Sequence, residues 1–474
     1  MTSTAFLSQD IARRLYDAHA TYQEKTFTHR RFKHKDIVPL LDALRSQQPF
    51  TVSQIGESLE KRSIYQVKAG NGPDSVLLWS QMHGDEATAT MALFDIFNFL
   101  KASNDGFDEL RQTILTNTSL YFVPMLNPDG AERFQRRTAT DIDMNRDALR
   151  LQTPEGALLK SLQQTLRPLV GFNLHDQNPR YSVGKTGKQA VMSFLATAYD
   201  EERNVNEVRE RSMKLIVGMN RVLSQFIPGQ IGRFDDEFEP RAFGDNIQKW
   251  GTTLILVESG GYKGDPEKMA IRRLNFVAIL TTLLAIAEHS YQQEDTSQYQ
   301  TIPENGRLLF DVLIRNATVW HNGHPVMVDI GINHNEVNVD EATDFRYKST
   351  IDEIGDLSTF CGLDEIDATG LTLEPAGEYQ ASLKSVDDLT AIDLLSLQRE
   401  GTLVFRSQEK PQTDFLDLPV HVLYEGDFPA KPLLIDQIPT FLLKQNEQII
   451  YAFVNGFCIQ KANMTEKRSN GIAE

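Results

Sequence analysis

The chain has 474 residues, 41% of them hydrophobic and 24% charged, which is the composition of a globular protein too long for one core, so two or three domains are expected. A formal net charge of −17 repels phosphate backbones and argues against a nucleic-acid partner. The two cysteines, Cys361 and Cys458, lie far apart with no CxxC spacing, which disfavours both a disulfide scaffold and a thiolate zinc site and leaves two reduced core thiols as the expectation.

The first 48 residues carry helical patterning and many charges, and no basic start followed by an apolar stretch marks a signal peptide. No run reaches the roughly 18 apolar residues of a membrane helix; the apolar stretch around 276–287 ends in Glu288. A cytoplasmic protein with no membrane partner is the resulting expectation. FTVSQIGESLEKRSIYQVKAGNG reads as two strands joined by a turn and closed by Gly70-Asn71-Gly72. SVLLWSQ is a buried-type strand, followed at once by HGDE and by a helix in which Leu93, Ile96, Phe97 and Leu100 recur at i, i+3, i+4 and i+7. Leu115–Met125, Val170–Leu174 and Thr252–Val257 read as further strands, with long amphipathic stretches at Glu207–Phe226 and Met269–His289. Strands alternating with helices predict an α/β layered domain over 1–295 with a parallel or mixed sheet. QQEDTSQYQTIPENG has the polar, Pro- and Gly-containing texture of a linker. Beyond it, 308–474 carries short strand-like runs and predicts a smaller β-rich domain whose tail, KANMTEKRSNGIAE, is expected to be loose.

Three buried-type strands each end in chemistry. SVLLWSQ leads into His83 and Glu86, VGFNL ends in His175-Asp176, and TTLILV ends in Glu258-Ser259-Gly260-Gly261. In open α/β sheets the carboxyl edge of the strands is where loops converge on ligands. Two His and one Glu form a known catalytic zinc set that leaves a position for water. His83 and Glu86, three residues apart in a tight turn, can face one point, and Gly84 leaves the backbone room to bend. An isolated HxxE is usually a surface pair and a lone His175 a hydrogen-bonded core histidine; position after buried strands is what favours ligands. Glu258 sits where a carboxylate is costly unless paired or used. As a general base it would take a proton from the attacking water and pass it to the leaving group; the bland alternative is a salt bridge to an arginine. Between the strands, Asn127-Pro128-Asp129-Gly130 signals a turn, and Arg133, Arg136, Arg137, Asn145 and Arg146 follow. Such groups hold a substrate carboxylate or stabilise an oxyanion, although Arg133 reads better as a solvated surface group and Arg137 equally well as either.

IGESLEKR, HGDE, NPDG, RRTATDIDMNRD, the HD at 175–176 and ESGG, in this order over roughly 50–290, resemble the carboxypeptidase A-like (M14) zinc carboxypeptidases. The resemblance implies a mixed sheet flanked by helices in three layers and one zinc ion per chain on His83, Glu86 and His175. It implies that Asn145 and Arg146 grip a terminal carboxylate, that Glu258 is the base, and that Arg136, nine residues before Asn145, polarises the scissile carbonyl. The sequence departs from the family pattern at Thr138 and Thr140-Asp141, and no motif makes Tyr181 or Tyr262 a substrate-capping tyrosine. In the C-terminal part, DVLIRNATVW, VDIGI and EIDATGLTLEPA resemble the small β-sandwich of amidohydrolases, without the barrel or its His-x-His pair. Three functions follow: a metallocarboxypeptidase removing C-terminal residues from peptides, a deacylase of N-acyl amino acids or amidase of cell-wall peptides on the same zinc site, and a non-enzymatic binding protein on a peptidase fold.

Overall fold

The strand that precedes HGDE, the strand that ends in His175 and the strand that ends in Glu258 lie side by side. In the computed structural model, which describes residues 4–424, 433–460 and 470–473, the chain divides into two units, Met1–Arg307 and Leu308–Glu474. In chain order the first unit runs α1 (Thr4–Tyr22), α2 (His34–Leu44), β1 (Phe50–Glu57), β2 (Ser63–Ala69), β3 (Asp74–Ser80), α3 (Thr88–Lys101), α4 (Asp108–Asn117) and β4 (Thr118–Val123). It continues with α5 (Pro128–Arg133), α6 (Pro154–Leu166), β5 (Val170–Asp176), β6 (Ser182–Val183), β7 (Met192–Leu195) and α7 (Glu207–Leu223). β8 (Ile231–Arg233), α8 (Phe243–Lys249), β9 (Thr253–Ser259), α9 (Met269–Ala287) and β10 (Asn305–Gly306) complete it.

Eight strands form one mixed sheet in the order β1-β2-β4-β3-β5-β9-β7-β8. Its four central strands, β4, β3, β5 and β9, are parallel, while β2 and β7 run antiparallel against them at either side. The central strands are apolar almost throughout; every residue of β9 is buried, as expected for parallel strands covered on both faces. Because side chains alternate between faces, Leu77, Trp79 and Leu254 turn toward Leu159 of α6 and Phe243 and Ile247 of α8. The other face receives α3 and α9, where Ser80 Oγ lies 2.8 Å from Thr90 Oγ1 and Asn275 Nδ2 donates to Ser259 Oγ at 2.8 Å. Each fully buried aliphatic side chain in these layers contributes roughly 1.5–3 kcal/mol.

Several expectations are corrected. The strand predicted over 115–125 is a helix to Asn117 and a strand only from Thr118. β7 and β8 were not anticipated; at four and three residues they carry no readable alternation. The linker-like segment is packed: Tyr299 is fully buried, its hydroxyl accepts from Ala196 N at 3.0 Å, and Arg233 pairs with Glu304 at 2.6 Å. α9 is long and apolar enough to cross a membrane by length and composition, contrary to the reading of its sequence, yet 78% of that stretch is buried within the protein. Gly84 lies in a turn, and the close approach of that turn to Gly130 adds its own requirement for glycine, since a Cβ there would stand 2.0 Å from Gly130 C.

The second unit is β-rich. Leu309–His321, His324–Val339 and Asp344–Gly355 pair antiparallel in an eight-stranded sheet, over a core that includes Ile314, Ile330, Ile332 and Phe453. A five-stranded sheet accompanies it. The expectation of a loose tail is corrected at its end, where Gly471–Ala473 forms a strand with Ile472 fully buried, while 461–469 and 474 lie outside the described residues. Cys361 and Cys458 are half-buried, not fully buried, and form no disulfide among the described residues.

Below the sheet, α1, α3 and α9 are tied by a buried charge cluster. Arg272 and Asp95 are both fully buried and pair through two hydrogen bonds of 2.7 and 2.6 Å, with His19 Nε2 at 2.8 Å from the same carboxylate. Arg272→Met strands the Asp95 charge and is expected to destabilise the first unit by about 3–5 kcal/mol, measured by denaturant unfolding; a change under 1 kcal/mol contradicts the role.

Candidate metal centre

The site grows from the carboxyl ends of β3, β5 and β9. Past β3 the chain turns tightly, with Glu86 N donating to His83 O at 3.2 Å, so that both side chains face β5. β5 and β9 pair in register with His175 opposite Glu258 and Asp176 opposite Ser259. Alternation therefore sends His175 and Glu258 to one face and Asp176 and Ser259 to the other.

On the first face, His83, Glu86 and His175 are all buried, and each offers one ligand atom within 4.8 Å of the others. Glu86 is the hub: Oε1 lies 2.7 Å from His83 Nδ1 and Oε2 lies 2.6 Å from His175 Nδ1. Burial pushes the Glu86 carboxyl up, but the two imidazoles outweigh it and hold the group well below the ordinary value. Burial pulls both histidines down; His175 stays lowered, whereas Glu86 and Asp143 bring His83 above its usual value. The far nitrogen of His83, Nε2, sits 3.2 Å from Asp143 Oδ1. A carboxylate on the other ring nitrogen is the usual way a metal-binding imidazole is oriented. Two nitrogens and one oxygen, buried and convergent, fit a zinc ion, and the buried Glu258 Oε2 beside them has no hydrogen-bond partner among the described residues.

The remaining residues singled out in the sequence fall as follows. Arg136 NH1 reaches two of the candidate ligands, 3.1 Å from His83 Nδ1 and 3.3 Å from Glu86 Oε1, and the guanidinium is braced by Asp143 at 3.0 Å. Arg137 turns away, donating to Asp141 O at 3.0 Å, and Arg133 pairs with Glu60. Asn145 donates its backbone N–H to Asp143 Oδ1 at 2.9 Å and accepts from Phe243 N through its side-chain oxygen at 2.9 Å. Arg146 lies next along the chain, with Nε 3.1 Å from Glu239 Oε2. Tyr262 is exposed, and Tyr181 packs edge-on to Phe234 with ring centroids 6.0 Å apart. Among the described residues Glu258 forms no salt bridge to an arginine: its largest influence is burial, followed by repulsion from Glu86 and Asp176, and these hold its carboxyl well above the ordinary value.

The second face braces the first. Asp176 Oδ2 accepts from Thr88 Oγ1 at 2.6 Å and from Lys268 Nζ at 3.0 Å, and the same ammonium donates to Ser259 O at 3.0 Å. Lys268 thus clamps the ends of β5 and β9 from behind. It does so with a left-handed backbone, φ 54°, at the start of α9, a conformation of modest cost for a non-glycine residue. Asp143, Asp176, Lys268 and Glu239 were all missed as site residues by the sequence reading. Asp143 carried one available signal, its place two residues before Asn145; Glu239 and Lys268 meet the site only through the fold.

Residues 37–172 match the family model described as zinc carboxypeptidase. The chain is 31% identical over 104 residues to Carboxypeptidase SOL1 of Arabidopsis thaliana, covering 20% of this chain and 21% of that protein. It is 22% identical over 217 residues to Carboxypeptidase D of Homo sapiens, covering 38% and 16%. It therefore spans well under a third of the length of these relatives. Among solved structures it is similar to a metallo-carboxypeptidase from Burkholderia cenocepacia, with 14% identity and a TM-score of 0.45 over 55% of this chain and 70% of that one.

The raised Glu258 has a consequence for stability. A group whose folded pKa exceeds its unfolded one contributes stability that is present below the unfolded value and is lost as pH rises through the folded value. In metal-free protein, Glu258→Gln is therefore expected to match the wild type near pH 4 and to become the more stable of the two toward pH 9. Thermal unfolding across that range checks it, and a difference that does not grow with pH contradicts the buried, partnerless carboxyl.

Proposed function

We propose that this chain, whose residues 37–172 match the zinc carboxypeptidase family model, hydrolyses the amide bond next to a free carboxylate and acts as a metallocarboxypeptidase on the C-terminal residues of peptides. One observation carries the reading: a buried His83–Glu86–His175 set with the partnerless carboxyl of Glu258 delivered beside it by the strand register.

Zinc held by those three side chains would supply a Lewis acid that lowers the pKa of a water and polarises the carbonyl under attack. Glu258 takes the proton from the attacking water and returns it to the leaving amine. Its lack of a competing partner suits that shuttle, since a carboxylate locked in a salt bridge would have to break it at each turnover. With a cation held by His83, Glu86 and His175, the repulsion from Glu86 and Asp176 would be offset and Glu258 would be held nearer its ionised form. Arg136, already aimed at the ligand set, donates to the oxyanion that forms on the carbonyl. Asp143 orients both His83 and Arg136 and keeps the two in register. Asn145 and Arg146 hold the substrate's terminal carboxylate, which places the last peptide bond over Glu258.

Glu258→Gln is expected to retain stoichiometric zinc and to lose about 10²–10⁴ in kcat on blocked dipeptides, read by metal analysis and a peptide-release assay. Retained turnover refutes the base. Cleavage of N-acyl amino acids with no peptide cleaved refutes the carboxypeptidase assignment while leaving the metal centre intact. Asp143→Ala is expected to weaken zinc binding about 10–100-fold, measured by competition with a chelator; unchanged affinity contradicts its orienting role.

A further inference from the structure

The arginine assigned to the substrate carboxylate already has a carboxylate beside it. Arg146 Nε lies 3.1 Å from Glu239 Oε2, and its NH1 donates to Asn145 O at 2.8 Å. At such separations a full negative charge cancels much of the attraction a guanidinium holds for a second anion. Left uncompensated, Glu239 would turn the grip of Arg146 against the group it is meant to hold.

Glu239 is not left uncompensated. Arg241 closes on it with a two-pronged pair, Nε to Oε1 at 2.9 Å and NH2 to Oε2 at 2.8 Å, and the Arg241 backbone N–H also donates to Oε1 at 3.1 Å. Both guanidinium groups therefore meet at one oxygen, Glu239 Oε2. The loop that carries them is fixed to the site segment, because Ala148 N donates to Arg241 O at 3.1 Å and Phe243 N to Asn145 Oδ1 at 2.9 Å. Arg146, Glu239 and Arg241 sum to one net positive charge, which is what a lone Arg146 would present. Asp245, in the first turn of α8, accepts from Glu239 N at 3.2 Å and is pushed up by burial to about 7, so it carries only part of a charge near neutrality, while Asp236, earlier in the loop, is paired with Arg203 and Arg209.

We propose that Arg241 is a specificity-determining residue: by neutralising Glu239 it keeps Arg146 available to a substrate's C-terminal carboxylate and sets the preference for a free acid over an amide. The inference rests on the reading of Asn145 and Arg146 as the carboxylate grip. Glu239 has its own part, since it spaces two cations that would otherwise repel each other.

The test compares a blocked dipeptide bearing a free C-terminal carboxylate with its C-terminal amide, at low ionic strength. KM and kcat are measured on the zinc-loaded protein, and equilibrium binding of the same two compounds on protein stripped of metal. The wild type is expected to favour the acid. R241Q is expected to raise KM and the dissociation constant for the acid about tenfold, with kcat within twofold and the amide unaffected. The double variant E239Q/R241Q, which removes the uncompensated anion, is expected to restore both constants to within about threefold of wild type, and R241K to restore them in part. R241Q that leaves the acid constants within twofold, in a wild type that discriminates, overturns this inference alone. So does a double variant no better than R241Q. A wild type that treats acid and amide alike, in turnover and in binding, overturns the carboxylate grip and this inference with it.

Discussion

The register between β5 and β9 is the constraint on which the site depends. Two parallel strands, buried throughout except at Asp176, are paired so that His175 stands opposite Glu258. A slip by one residue would exchange His175 for Asp176 or Glu258 for Ser259 and turn the wrong side chain to the ligand face. The register is specified by apolar burial along the strands, where Phe172 packs opposite Ile255 and Leu174 opposite Val257. It is then clamped at its end by the Lys268 ammonium, which touches Asp176 on one strand and Ser259 on the other.

That arrangement divides the labour between the two faces of a sheet. One face gathers two imidazoles and two carboxyl groups in the same buried space, an assembly that is electrostatically unfavourable by itself: Glu86 and Glu258 repel, and burial penalises both. A divalent cation held there would resolve the conflict, because it would satisfy the donors and relieve Glu258. The other face holds a hydrogen-bonded network of Thr88, Asp176, Lys268, Ser259 and Asn275, in which Asp176 Oδ1 and Asn275 Oδ1 make no hydrogen bond among the described residues. Arginines recur wherever the site meets solvent, and each is matched to a carboxylate that orients it, Arg136 by Asp143 and Arg146 by Glu239.

What the sequence made legible was whatever is local. HGDE, the HD after VGFNL and the ESG after TTLILV each announce a polar residue at the end of a buried strand, and strand parity alone suffices to aim it. The helices at 88–101, 207–223 and 269–287 were readable from their apolar period or length. What was not legible depends on contacts between distant segments. Glu239 meets Arg146 only because the loop before α8 folds across it. Lys268 looks like any lysine in a charged turn until α9 brings it behind β5 and β9. Polar composition was misleading at 296–306, where Tyr299 and the Arg233–Glu304 pair hold a linker-like stretch against the first unit. β7 and β8 are too short for a period to show.

The central claim is that His83, Glu86 and His175 together hold a zinc ion next to Glu258. Anomalous diffraction from crystals of the zinc-loaded protein, recorded on either side of the zinc absorption edge, tests it most directly. The expected result is a single strong peak within bonding distance of all three side chains. No peak there, or a peak held by other residues, would contradict the account.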